Sequence, residues 1–583
     1  MALIAVSSLA FIGSRGAAQT LSDEIAKSRP PPTIGQPQEA AGLPLRGWTQ
    51  WGGSSLRNNV AVGGEIPVAW EAGNFDVTGR LRPGPLKNVA WVARLGSQTY
   101  GSPVVAEGRV FIGTNNSTGY LKRYPADVDL GCLLCFEAAT GKFMWQHSSE
   151  KLPEGRVHDW PLQGVCSTPL VEGDRLWFVT NRGEVVCLDI DGFFDGDNDG
   201  PYRDEPSEEF DEADVVWQLD MMGPLGVRQH NMANCSVTAW GDVLFVCTSN
   251  GVDEGHAHVA APQAPSFIAL DKRSGRVLWT DSSPGENVLH GQWSSAAAGL
   301  LGGVPQVIFG GGDGWLYSFH AAQWQPGLPY GRPNLLWKFD CNPKTAKYSV
   351  SGRSTRNHLI AIPVIHDGLV YVAVGEDPEH GEGNGHLWCV DPTRRGDVSA
   401  ELAVHRADPK RPIAHKRLQA VEADKGELAV DNPNSAAVWH YSQFDWDGDS
   451  RIADFEERMH RSISSVVVAN GLLVVPDFSG LVHCLDAKTG RVHWTHDLFA
   501  ACWTTPLIAD GKIYVGDEEG KITIFPLSAD PYVALAAREL GWFEARYTVE
   551  LGNSIYNTPI VADGVLYVAT KTHLYAITAG ANQ

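Results

Sequence analysis

The sequence predicts an all-β fold from three observations: a hairpin-like unit that recurs eight times, a Trp-closed strand pair after most copies, and an early strand that completes the last copy. Each unit runs through a small residue, two or three apolar residues, a Gly-containing turn and an apolar strand, which is a β-hairpin pattern. Self-similarity at this spacing is the signature of a radial repeat. The expectation is therefore an eight-bladed β-propeller with four-stranded blades, the last blade shared by the two ends of the chain.

The copies follow in order. Ser102-Pro103-Val104-Val105 turns at Gly108, and Ser167-Thr168-Pro169-Leu170 turns at Gly173. Cys235-Ser236-Val237-Thr238 turns at Gly241, and the weaker Ser294-Ser295-Ala296-Ala297 comes fourth. Ile362-Pro363-Val364 turns at Asp367-Gly368, and Ser464-Ser465-Val466 at Asn470-Gly471. The last two, Thr505-Pro506-Leu507 with Asp510-Gly511 and Thr558-Pro559-Ile560 with Asp563-Gly564, are nearly identical. Asp-Gly and Asn-Gly supply the positive φ that a tight primed turn demands.

After most copies an apolar strand, a turn and a strand ending in Trp follow, as in Thr140-Gly141-Lys142-Phe143-Met144-Trp145. Clearer versions are Asp271-Lys272-Arg273-Ser274-Gly275 before Trp279 and Asp486-Ala487-Lys488-Thr489-Gly490 before Trp494. Trp217, Trp337 and Trp439 close the looser copies, and Tyr547 is the candidate for the seventh. The eighth copy ends at His573-Leu574-Tyr575-Ala576-Ile577, and its missing closing strand is available as Asn88-Val89-Ala90-Trp91-Val92-Ala93.

This A-x-D-x-x-T-G-x-x-x-W pattern resembles the tryptophan-docking motif of PQQ-like propeller repeats, the quinoprotein alcohol dehydrogenase-like superfamily. The resemblance covers roughly residues 88–578 and implies that each Trp docks between neighbouring blades, braced by the turn of the motif. It implies a fold and not an activity. The superfamily holds redox enzymes with PQQ and calcium, and outer-membrane assembly scaffolds with no cofactor.

Sequence beyond the blades leaves as insertions near 190–214, 340–360, 375–386 and 392–462, within a single propeller unit over 46–583. In the last insertion Asp445, Asp447 and Asp449 fall at positions 1, 3 and 5 of an EF-hand-like loop. Arg451 offers a backbone carbonyl at position 7 and Glu456 closes at position 12, a spacing that cages calcium. Ser450 replaces the usual Gly, and 453–461 reads as the helix that follows. A weaker calcium loop has Asp195, Asp197 and Asp199 in place, with Asp204 or Glu205 standing in for the closing acid. Loop 375–386 gathers two His and four acids, and His256 and His258 form another pair, without the spacing of a standard metal site. Arg228, His230, Asn231, Arg353, Arg356 and His358 each precede a blade and are candidates for a pocket at the channel mouth. No catalytic residue is assigned.

Residues 1–18, an apolar run followed by Gly16 and Ala18, resemble a secretory signal peptide, and 19–45, rich in Pro, Gln and Ala, read as a flexible leader. No Cys follows the apolar run to carry a lipid anchor, and no stretch is long and apolar enough for a membrane span. The ten Cys stand mostly in apolar strands and are expected to act as small hydrophobes; Cys132-x-x-Cys135 lacks the His of a c-type haem site. With 46 Lys+Arg against 68 Asp+Glu, the net charge of −22 argues against nucleic acid as a partner.

Two functional readings follow. The leading one is an exported, periplasmic or secreted monomer, a non-catalytic binding or scaffold module. It meets a protein or polysaccharide partner through its channel face and insertions, with calcium pinning the loops. The alternative is a PQQ- and calcium-dependent dehydrogenase of alcohols or sugars. Against it, the sequence has no Cys-Cys pair of the kind that the redox members use.

Overall fold

Each of the eight repeats folds as a hairpin whose turn is set by its sequence. At Asp510-Gly511 φ is 48° and 67°, and at Asp563-Gly564 it is 50° and 78°; two successive positive φ values make the primed turn that matches strand twist. The computed structural model describes residues 47–73, 76, 82, 84–342, 344, 357–376, 383–414, 416–445, 448–452, 454–535 and 548–582, all within the unit Ala40–Gln583. The segments 1–18 and 19–45, together with Tyr547, Arg353, Arg356 and Asp447, lie outside the described residues.

Among the described residues the hairpins grow into eight sheets, almost entirely antiparallel. The first holds Val104–Ala106, Arg109–Asn115, Leu130–Glu137 and Phe143–Glu150. The second runs from Leu170–Glu172 to Val215–Asp220 and the third from Thr238–Trp240 to Val277–Asp281. The fourth, beginning at Ala297–Leu301, gains a short parallel strand, Gly396–Asp397, beside Trp337 and Lys338. The fifth starts at Val364–His366 and closes with Ala437–Tyr441; the sixth and seventh start at Val467–Ala469 and Leu507–Ala509. In the eighth, Val89–Arg94 pairs antiparallel with His573–Ile577, the seam that the sequence predicts. A separate three-stranded sheet (Glu401–His405, Asp408–Pro412, Glu427–Asp431) is built from the insertion after His386–Val390.

The apolar core lies between the sheets. The first shares a cluster with the second, and the second with the third and fourth. Sharing continues from fourth to fifth, fifth to sixth, sixth to seventh and seventh to eighth. Trp91, Ala576 and Phe136 then tie the eighth back to the first.

The Trp motif now has a physical cause. Trp91 of the eighth sheet donates its indole N–H to the Ala138 carbonyl of the first at 2.9 Å. Trp217 does the same to Lys272 at 3.3 Å, and Trp439 to Ala487 at 3.0 Å. Three residues further on stands the motif Gly, with φ near 70° in each case. A Cβ on Gly141, Gly275 or Gly490 would lie 2.5, 2.4 or 2.6 Å from the ring of Trp91, Trp217 or Trp439. The motif acid shapes the turn: the Asp486 carboxylate accepts from the Lys488 and Thr489 N–H groups and from the Thr489 hydroxyl.

A feature the sequence does not announce is the segment before the first repeat. Trp48 pairs with Val105, Thr49 accepts from Val171, Ser55 from Ala298 and Leu56 from Ile365. Asn58 donates to Val468, and Asn59 donates to both Pro506 and Pro559. The guanidinium of Arg57, fully buried, donates to the carbonyls of Trp51, Ser236, Val237 and Ala296. Residues 48–59 thus bond to the innermost strand, or the residues just before it, of all eight sheets.

Candidate functional site: a pocket where the sheets converge

A hydroxyl residue at or next to the start of most repeats has a common task. The Ser102 N–H donates to the Thr168 hydroxyl, Thr168 to Ser236 and Ser236 to Ser295, at 3.0, 3.0 and 2.9 Å. Ile362 donates to Ser465 and Ser465 to Thr505, both at 2.9 Å, and Thr558 donates back to Ser102 at 3.1 Å. A hydroxyl at this position therefore stitches one sheet to the next. At Ile362 it is missing, and there Ser294 bridges instead, donating to Ala361 at 2.8 Å.

At these hydroxyls opens a cavity of about 430 Å³, lined by the segments that lead into all eight sheets. One wall is aromatic: the rings of Tyr100 and Tyr556 stack at 5.0 Å, and Trp503 meets Tyr556 edge-on at 5.3 Å. Glu518, behind this wall, accepts from the Trp503 indole at 3.3 Å and from the Tyr556 hydroxyl at 3.4 Å, fixing both rings. Trp293 and Trp160 stand on other sides, the latter covered by the Arg156 guanidinium at 3.9 Å, and Trp51 also contributes. Asn231, Asn234, Gln163 and Asn557 supply amides. Neither the amide nitrogen nor the amide oxygen of Asn557, 2 % exposed, has a hydrogen-bond partner. No described lining residue is Asp, Glu, Lys, Arg or His. The Cys166 thiol, also on the wall, is pushed up to about 12 by burial and stays protonated.

This lining bears on the quinone cofactor of the redox members of the superfamily. PQQ is a tricarboxylate held with calcium, so its cradle needs cationic side chains and carboxylate ligands. Among the described residues this pocket offers neither, and the donor set does not fit that group.

The predicted pocket residues are distributed as follows. Asn231 lines the cavity. Arg228 is exposed and donates to the Met222 and Val227 carbonyls, away from it. His230 and His358 are buried behind Trp293, their ring centres 6.3 and 6.1 Å from it. His230 stands instead with His256 and His290, their ligand atoms within 4.8 Å of one another. His258, paired with His256 in the sequence, is exposed. In loop 375–386 residues 377–382 lie outside the described residues; His386 contacts His440 at 2.9 Å, and burial followed by that neighbour lowers its pKa to about 3.

Around Asp445 the described residues form a turn held by carboxylates. Asp445 accepts from the Gly448 and Ser450 N–H groups, and Asp449 from Arg451. Ser450 takes φ 66°, the conformation that Gly provides at this position in standard loops. The expected helix over 453–461 does not form: a single 3-10 turn, Phe455–Glu457, carries Glu456. Asp454 and Glu457 cap that turn. The backbone beyond it is then claimed by pairing, with Gln443 opposite Arg458 and Asn384 opposite His460.

In the other acidic loop, Asp195 converges with Asp189 and Asp191. Asp197 donates its N–H to Asp195, while Asp199 pairs with Arg175 at 2.8 Å and Asp204 is exposed. Both Glu205 carboxylate oxygens are buried with no partner. Burial and neighbouring carboxylates raise Asp189 and Asp214 to about 6.

All ten Cys are free, nine of them buried. No helix among the described residues is long and apolar enough to cross a membrane.

Residues 424–530, which include Trp439, Gly490 and Trp494, match the family model described as outer membrane protein assembly factor BamB. That stretch is similar to a PQQ-like repeat. Outer membrane protein assembly factor BamB of Yersinia pestis is 22% identical over 403 residues, 68% of this chain and 80% of that protein. Among solved structures, a europium-containing methanol dehydrogenase superposes with a TM-score of 0.53 at 11% identity, covering 91% of this chain and 98% of its own. BamB from Moraxella catarrhalis gives a TM-score of 0.44 at 13% identity, over 84% and 97%. At 11% identity the likeness to the methanol dehydrogenase is one of fold alone.

Proposed function

We propose that the eight sheets are the blades of a closed propeller that works as an exported binding module, and that its axial pocket takes a segment of a neutral polysaccharide. The observation that carries this reading is the lining: stacked aromatics, hydroxyls and amides without a charged group, around the unsatisfied amide of Asn557. Aromatic faces bury the C–H faces of a sugar, while a buried amide offers one donor and one acceptor to its hydroxyls. A cavity of about 430 Å³ is of the size of a small-molecule site and suits a short saccharide segment. The shared cores and the hydroxyl stitching support the closed ring.

Calcium belongs to the same proposal as a stabiliser of the two acidic loops. The geometry around Asp445 and Ser450 supports one site, and the crowded carboxylates of Asp189, Asp195 and Asp214 support the other. Export rests on the signal-like residues 1–18, and the likeness to an assembly factor of the outer membrane is in keeping with it.

The test is titration of the full chain with neutral oligosaccharides and, in parallel, with PQQ plus Ca²⁺, followed by Trp fluorescence and calorimetry. The expected result is saturable binding of a neutral oligosaccharide that Trp503→Ala weakens about tenfold, the loss of one aromatic contact. Calcium-dependent quenching by PQQ with dye-linked oxidation of an alcohol or sugar would replace this reading by the dehydrogenase.

A further inference from the structure

We propose that His230, His256 and His290 form a binding site for one divalent transition-metal ion of the zinc or copper class. The three rings form a nearly regular triangle, with centres 4.8 Å apart for His230–His256, 4.4 Å for His230–His290 and 4.7 Å for His256–His290. One nitrogen from each lies within 4.8 Å of the other two. Zinc bound at about 2.0–2.1 Å needs these nitrogens about 3.3 Å apart, so each ring moves inward by less than about 1 Å. Imidazole suits zinc and copper, and three such donors leave a coordination position for water or a ligand atom.

The surroundings preset the ligands. His230 Nδ1 lies 2.8 Å from the Val252 carbonyl, which can only accept, so Nδ1 carries the proton and Nε2 is the ligand atom. The Val252 N–H donates to the His290 carbonyl at 2.9 Å, tying the second histidine to the same residue. Gly251 makes this closeness possible: a Cβ there would stand 2.6 Å from the His230 Cβ and 2.7 Å from the His290 carbonyl oxygen. The turn between Val252 and Val259 brings up the third histidine. There His256 takes φ 53°, a left-handed conformation costly for a residue with a Cβ, and the Asp253 carboxylate braces the turn by accepting from the Ala257 N–H at 2.9 Å.

Trp293, which donates to the His230 carbonyl at 3.3 Å and lines the axial pocket, separates the two sites. The metal site therefore stands or falls independently of the saccharide reading.

The full chain, stripped with a chelator and dialysed, is titrated with Co²⁺ followed by its visible d–d absorption, then competed with Zn²⁺. One equivalent is expected to bind with the absorption of an imidazole-ligated ion. His256→Ala, on a surface turn, is expected to lower affinity by at least the ~100-fold that loss of an outer-shell partner reaches. His258→Ala, on the same turn, is expected to leave it unchanged, with thermal unfolding verifying that both variants fold. The proposal is overturned by absence of stoichiometric binding, by unchanged binding in His256→Ala, or by equal loss in His258→Ala.

Discussion

Substituting Gly275 by Ala tests whether the Trp motif works through contact between sheets or only through its own turn. Gly275 has φ 68°, and a Cβ there would stand 2.4 Å from the Trp217 ring. Gly173 has a similar φ of 62° but has nothing within 4 Å of its hypothetical Cβ. Ala in the left-handed region costs about 1–2 kcal/mol at either position. Only at Gly275 is overpacking added, about 1–3 kcal/mol, because the Trp217 ring is held at its indole N–H by Lys272 at 3.3 Å. At about 2.1 cal/mol/K per residue, unfolding a chain of this length shifts by roughly 1 °C per kcal/mol. Gly173→Ala is thus expected to lower Tm by about 1–2 °C and Gly275→Ala by about 2–5 °C. Calorimetry on both variants, and on Gly275→Ala combined with Trp217→Ala, gives the comparison. If Gly173→Ala and Gly275→Ala are indistinguishable, or if removing the ring fails to relieve the second, the docking argument is wrong.

Three further outcomes are expected. Arg57→Met should cost about 3–5 kcal/mol and expose residues 48–59 to protease, because four buried carbonyls lose their donor at once; unchanged proteolysis would deny the segment its anchoring role. Ser465→Ala removes the acceptor of the Ile362 N–H and should lower stability by about 1 kcal/mol, read by urea unfolding, whereas Ser465→Thr should not. Asp189 and Asp214 bind a proton more tightly folded than unfolded, so their contribution is present below pH 3.8 and lost as pH rises through about 6. Ca²⁺ should therefore raise Tm more above that window than below it, and Asp189→Asn should flatten the difference; equal calcium effects on both sides would remove the acidic loop as a cation site.

The hairpins, the motif Trp residues and the seam at Val89–Arg94 were legible because each obeys a local rule: a turn that needs positive φ, a ring that needs a glycine, a sheet edge that needs a partner. Segment 48–59 was not, because it has no periodicity of its own. Arg57 acquires meaning only when the third and fourth sheets present their carbonyls to it, and Asn59 only when the seventh and eighth do. The helix after Asp445 failed for a related reason, since isolated bridges of Arg458 to Gln443 and of His460 to Asn384 outweighed local helix preference. His230 and His358 were picked out by their position before a blade, and His290 occupies the same kind of position before the fourth. Its single imidazole between Leu289 and Gly291 carried no motif to mark it, and the nearness of His256 to His230 and His290 does not show in the sequence, where His256 stands beside His258.

The seam carries a cost in time. Val89–Arg94 leaves the ribosome hundreds of residues before its hydrogen-bonding mate, His573–Ile577. Until that mate emerges the nascent polypeptide must carry an unmated Trp91 ribbon, an invitation to neighbouring chains. Production of this protein is thus expected to respond to chaperone supply, and stop codons ahead of His573 should yield sticky fragments.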